Sequence, residues 1–176
     1  MTKRALWSVA IVSALVPAVH ADVSAQKEKI ASLQYLVGTW KCEHTVGTFS
    51  GTYTTTFSRV LGDAWLKQTY DFPATEGSGT AEPARQAECL MTWSPRRQYW
   101  VRFFAMSNGD WFAIRMNDTP DGWTWKYVSF SKERKPETPT ADATFTKRSE
   151  SEYTIDGPTY PSDGTQVTEH HICKKL

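Results

Sequence analysis

The stretch YLVGTWKCEH, residues 35–44, decides the fold. Before it, apolar residues recur at helical spacing at Ile30, Leu33 and Leu36, with Val37 alongside. After Gly38 the period changes to two: Trp40, Cys42 and His44 share one parity, while Lys41 and Glu43 take the other. A helix of about three turns is therefore predicted, capped by Ser24 and stopped by Gly38, followed by a strand that buries Trp40, Cys42 and His44.

Downstream the alternation does not stop. GTYTTTFSRV, AWLKQTYDF, QAECLMTW, QYWVRFFAM, DWFAIRM, GWTWKYVSF, ADATFTKR, EYTI and QVTEHHIC all read as strands rich in β-branched and aromatic residues, making ten with the first. Short breaks with turn chemistry separate many of them: Leu61-Gly62-Asp63, Ser94-Pro95-Arg96, Asn108-Gly109 and Asp121-Gly122. Neighbouring strands are then antiparallel. Pro73 to Arg85, Lys132 to Thr140 and Gly157 to Thr165 are rich in Pro, Gly and Glu and read as mobile loops. The expected fold is all-β: a closed antiparallel up-and-down barrel of about ten strands with a short N-terminal helix, closure removing two exposed edges.

Upstream, residues 1–21 have the form of a signal peptide: basic Lys3 and Arg4, an apolar run from Leu6 to Pro17, and Val19-His20-Ala21 before a cleavage point after Ala21. The apolar run is too short and too interrupted to span a bilayer, and no later segment is a second candidate. With no Cys near the cut there is no lipoprotein signature. Residues 22–176 are expected to form a single domain, periplasmic or secreted. Loss of Lys3 and Arg4 turns the formal charge of +1 into −1, and no block of like charge marks a nucleic-acid or membrane surface. Three cysteines in an oxidising compartment suggest one disulfide and one free thiol.

In a barrel, alternation sorts each strand into lining and surface. Tyr53, Thr55 and Phe57 fall on the lining, as do Leu66, Gln68, Tyr70 and Phe72, and then Trp123, Trp125 and Tyr127. The strand from Gln98 to Met106 is apolar on both faces; Trp100, Arg102, Phe104 and Met106 form one consistent lining set. Seven of the eight tryptophans lie beyond the leader. They read either as fillers of a wide barrel or as the walls of a cavity for flat or apolar small molecules. Tyr53, Phe57, Tyr70, Trp100, Phe104, Trp123 and Trp125 are the candidate ligand contacts. Arg59 and Arg102 lie on inner parities, where a guanidinium could meet a ligand carboxylate or reach water along its stem.

First and last strands are antiparallel neighbours in an even-stranded barrel, so opposed residues keep a constant index sum. If Cys42 faces Cys173, His44 faces His171 and Trp40 faces Lys175. A Cys42–Cys173 bond would leave Cys89 free; a Cys42–Cys89 bond is the competing pairing, because Ile172 obscures which face of the last strand is inner. His44 and His171 could hold a haem or a zinc ion, or be solvated histidines near a barrel mouth; no third ligand has a recognisable spacing, and no cofactor is called for by a motif. His170 points the other way. No nucleophile elbow, phosphate loop or paired-His helix motif marks an enzyme; the GSG at 77–79 precedes no helix. The Asn117-Asp118-Thr119 sequon sits in turn-like sequence.

The helix, the Gly38-Thr39-Trp40 opening and the ten-strand meander resemble the calycins, the group of lipocalins, fatty-acid-binding proteins and nitrobindins. More closely, LVGTWKCE, TTTFSRVLGDAWLKQTYDF and WSPRRQYWVRFF look like a bacterial calycin-like family, usually exported, known as a domain of unknown function. The resemblance implies a barrel that binds a small apolar or amphipathic molecule. It also implies that Lys175 packs over Trp40, as a basic residue does in lipocalins. The nitrobindin haem motif is not matched around His44 or His171. Two other roles stand beside ligand binding: a haem or metal protein or enzyme using His44 and His171, and a structural or interaction barrel with a filled interior.

Overall fold

In a computed structural model the chain is described over residues 16–74, 84–109, 111–125, 142–159 and 166–176, with side chains from residue 22 onward. Most of the leader, most of the three long loops with the GSG at 77–79, and Tyr127 with the end of its strand lie outside the described residues. Helix α1 (Val16–Ala31) and a 3-10 turn (Gln34–Leu36) precede ten strands. These are β1 (Gly38–Val46), β2 (Phe49–Val60), β3 (Trp65–Phe72), β4 (Arg85–Ser94) and β5 (Tyr99–Met106). β6 (Trp111–Thr119), β7 (Gly122–Trp125), β8 (Ala143–Lys147), β9 (Glu152–Thr159) and β10 (Val167–Lys175) follow. Each strand pairs antiparallel with its sequence neighbours, and β10 pairs with β1 to close the barrel.

The seam has the register expected from the cysteines. Cys42 faces Cys173, His44 faces His171 and Trp40 faces Lys175. The Cys42–Cys173 disulfide is formed and Cys89 is free and buried, which removes the Cys42–Cys89 alternative. Trp40 is fully buried and its indole donates to the Leu36 carbonyl at 2.7 Å, so the 3-10 turn is tied to the first strand. Lys175 crosses above the same ring, 5.5 Å from its centre, and donates to the Tyr35 carbonyl at 2.8 Å. Gly38 makes this crossing fit: its φ is 125°, and a Cβ there would lie 3.0 Å from Lys175 Cε.

Two expectations about element ends need correction. The helix begins at Val16, which places Ser24 inside it, and ends at Ala31. Nothing in Ala18 to Ala21 stops a helix, whereas Leu33, at φ −92° and ψ 16°, interrupts it before Gly38 can. Likewise β9 continues through Gly157 and Pro158 to Thr159, where a loop was expected to begin. A Cβ on Gly157 would come within 2.4 Å of the Ala143 backbone, so glycine here permits close strand approach to β8.

Up-and-down order puts the β2–β3, β4–β5, β6–β7 and β8–β9 turns at the end of the barrel covered by α1. The helix is fixed there by buried Ile30, by Gln26 donating to Thr92 at 2.6 Å, and by Lys29, which pairs with Asp118 at 2.6 Å and lies over Trp93. All three long connections leave from the opposite end, which is open among the described residues.

Candidate functional site

Inner parity holds along the strands that were assigned one, except that Met106, the last of the Trp100, Arg102, Phe104 and Met106 set, is exposed at the strand end. Tyr53, Phe57, Leu66, Gln68, Tyr70, Trp100, Arg102, Trp123 and Trp125 are buried; Phe72 and Phe104 are half-buried near the open end. Their rings form two tiers. Beneath the helix, Trp93, Trp100, Trp123, Phe145, Tyr153 and Trp40 follow one another with centroids 4.5 to 5.8 Å apart. Towards the open end, Phe112 stacks on Phe104 at 4.3 Å, Phe104 approaches Tyr70, and Tyr53 joins Tyr70 and Phe72. Tilted and edge contacts of this kind suit ring quadrupoles and fill space efficiently.

A polar layer lies between the tiers. Arg102 is 8 % exposed and donates through Nη2 to Gln68 Oε1 and Tyr70 Oη, and through Nε to Cys89 Sγ at 3.0 Å. Its plane covers the Phe104 ring at 4.5 Å. Gln68 in turn donates to Thr55 Oγ1 at 2.9 Å, and Thr55 to the Thr69 carbonyl at 2.7 Å. Burial opposes the charge of Arg102, but Cys89 and Tyr70 beside it outweigh burial and hold its pKa above the usual value. Burial pushes the Tyr70 hydroxyl and the Cys89 thiol up, with Arg102 pulling each partly back. Among the described residues Arg102 forms no ion pair with a carboxylate, although the buried acid Glu169 acts on its partner Tyr70 through space.

An internal cavity of about 10 Å³ adjoins Arg102, bounded by Gln68, Met91, Tyr153 and Ile155. That is at the limit for a single water. A larger hollow of about 530 Å³ lies at the rim of the open end, where surface residues Lys41, Thr52, Asp71, Arg85 and Gln86 meet Tyr53 and Phe72. Around Arg102 the described side chains leave only the small void.

At the open end the histidines meet as their register requires, rings stacked 5.5 Å apart. His171 Nδ1 contacts Tyr53 Oη at 3.0 Å and its Nε2 contacts Glu169 at 3.3 Å, so both nitrogens are engaged. Ligation by the pair would require His171 to release one of them. No group of three or more His, Cys, Asp or Glu among the described residues is placed to hold a metal ion. His170 faces outward, paired with Asp156. The two arginines are not brought together: Arg59 sits at the helix end and reaches the Ala31 carbonyl at 3.5 Å.

Sequence reasoning missed Glu169, the Arg102–Cys89 contact and the Tyr53–His171 link. Glu169 has the parity of His171 and Cys173, so an acidic residue on an inner face was visible once the seam register was fixed.

His44 is held below its ordinary pKa, first by burial and then by His171, with Glu169 acting the other way. A folded-state pKa below the unfolded one means the unfolded chain binds more protons as the medium acidifies. Stability should therefore be flat above about pH 6.5 and fall below it, down to the depressed pKa of His44. Urea titrations from pH 7.5 to about pH 5 check this, and His44→Phe should flatten the slope over that window; an unchanged slope would assign it to other groups.

No protein-family model matches the chain, and no curated protein matches it. Among solved structures it is similar to the S-type phycobiliprotein lyase CPES from Guillardia theta, at 5 % identity and a TM-score of 0.41. That alignment covers 88 % of this chain and 93 % of the other. A likeness so remote carries nothing about ligand or activity. The protein is a closed ten-stranded up-and-down β-barrel, covered by a helix at one end and sealed by a disulfide at the first and last strands.

Proposed function

We propose that this barrel binds a small amphipathic carboxylate, its acid group paired with Arg102 and its apolar part among Tyr53, Tyr70, Phe72 and Phe104. The observation that carries this reading is the buried guanidinium whose described partners are all neutral, next to a small void. A buried cation is costly unless an anion meets it, and a ligand carboxylate is the anion that the aromatic surroundings would accept. Entry is from the open end, where Phe72, Phe104 and Phe112 are only half-buried. Because the void is so small, binding must displace these rings, which makes it slow relative to diffusion and dependent on a minor open conformation.

We further infer export with cleavage after Ala21. The seam disulfide suits an oxidising compartment, and cutting there leaves α1 the turns that carry Gln26, Lys29 and Ile30. The smallness of the void beside Arg102 favours a second reading, a structural or interaction barrel with no internal ligand.

Tryptophan fluorescence against dodecanoate, dodecanol and haemin distinguishes them. Dodecanoate should quench saturably and bind at least about tenfold more tightly than dodecanol, and Arg102→Met should abolish that preference. Equal affinities for acid and alcohol would remove Arg102 from the site. A Soret band shifted on mixing with haemin and lost in His44→Ala would favour the histidine pair instead, and no response to any of the three would leave the filled barrel.

A further inference from the structure

The outer face of β5 is anomalous. Around β1 and β2 the outward residues are Thr39, Lys41, Glu43, Thr52, Thr54 and Thr56, as a solvated barrel wall requires. On β5 and β6 they include Val101, Phe103, Ala105, Trp111 and Ala113, with Leu90 on β4 beside Phe103. Phe103 and Trp111 are each 41 % exposed and stack on one another at 5.8 Å, 26° between planes. These residues are not lining; the two-sided apolar pattern of Gln98 to Met106 has its inner half explained by the core and its outer half by no ring–ring contact among the described residues beyond the Phe103–Trp111 stack. Clustered exposed rings on an otherwise polar wall mark an interaction surface.

The charges around the patch indicate what covers it. Phe103 has Leu90 and Ala113 as its direct cross-strand neighbours. Glu88 lies opposite Ala105 and Arg115 opposite Val101, so the two charges sit diagonally, two residues to either side of Phe103 on its two flanking strands. Both are exposed. A two-fold axis lying in the plane of the face, passing through Phe103 and perpendicular to the Glu88–Arg115 diagonal, puts Glu88 of each copy over Arg115 of the other. The face is thus complementary to itself in charge as well as apolar at its centre, the requirement for an isologous contact.

We propose that the outer face of β4–β6 is the two-fold interface of a homodimer, centred on Phe103 and Trp111 and framed by reciprocal Glu88–Arg115 pairs. Glu88 keeps its pairing with Lys67 at the rim, and Arg115 keeps its position over Tyr99, 4.3 Å from the ring centre.

Sedimentation velocity of the mature chain over about 1 to 100 µM, at low salt, tests the proposal. The wild type should show a concentration-dependent dimer. Glu88→Arg and Arg115→Glu should each weaken association at least about tenfold, and the double variant E88R/R115E should recover it. Phe103→Ser should abolish dimerisation, and near-ultraviolet circular dichroism identical to wild type shows the barrel intact in each variant. A wild type that stays monomeric at the highest concentration overturns the proposal, as does a folded double variant that fails to recover. So does Phe103-dependent co-sedimentation of a monomer with vesicles of phosphatidylglycerol and phosphatidylethanolamine, which would make the face a lipid contact.

Discussion

Replacing Cys42 and Cys173 together by Ala is expected to lower the unfolding free energy by about 5 kcal/mol. The bond spans a sequence separation of 131 residues, nearly the whole barrel, so it removes most of the closure entropy from the unfolded chain. In the folded state it adds little that the seam lacks, because six other residue pairs already join β1 to β10 around it. The Tyr153 hydroxyl lies 3.7 Å from Cys42 Sγ and the Tyr53 hydroxyl 3.8 Å from Cys173 Sγ, so the two side chains are packed into the core from both sides. Against a typical total of about 5 to 15 kcal/mol, such a loss leaves a barrel of the lower range scarcely folded. Urea titration of the oxidised wild type and the double variant measures it, and the denaturant slope should rise as the unfolded chain expands. A loss below about 1 kcal/mol would mean that the chain ends are held by strand pairing alone. Substituting both cysteines avoids mispairing with Cys89.

The same seam shows why part of this structure could be read from sequence. Alternation with period two fixes parity, and two cysteines on facing strands fix an offset; once Cys42 is paired with Cys173 rather than Cys89, they place His44 on His171 and Trp40 on Lys175. Parity says nothing of volume. That Phe57, Trp123, Phe145 and Tyr153 leave a void of only about 10 Å³ beside Arg102 depends on ring orientations set across strands distant in sequence. Arg102 shows the same boundary: its inner parity was legible, but its contact with Cys89 follows from the β4–β5 register, where no residue pair announces the offset. The ends of elements were least legible, since Gly157-Pro158 has the composition of a loop while β8 and β10 hold it in a sheet. Phe103 and Trp111 were visible as apolar residues, yet only closure of the barrel made their outward direction a fact about the surface.

Trp40→Ala should cost about 3 to 5 kcal/mol, and the conservative Trp40→Phe about 1 to 2. The stretch from Tyr35 to His44 explains both numbers. Trp40 is wholly buried against Tyr153, 4.8 Å between ring centres, so removing it leaves a void in the tier beneath the helix. Its indole also satisfies the Leu36 carbonyl, one of the groups a helical turn leaves unpaired at its end, and Phe cannot replace that donor. Lys175 packs above the ring while donating to the Tyr35 carbonyl. Lys175→Met therefore keeps most of the cover and loses the charge, for about 1 kcal/mol. If Trp40→Ala and Lys175→Met were independent, their losses would add; because Lys175 rests on the Trp40 ring, the double variant should lose less than the sum. Strict additivity in urea titrations of the four proteins would show that the lysine acts on the Tyr35 carbonyl alone, with the ring beneath it as a bystander.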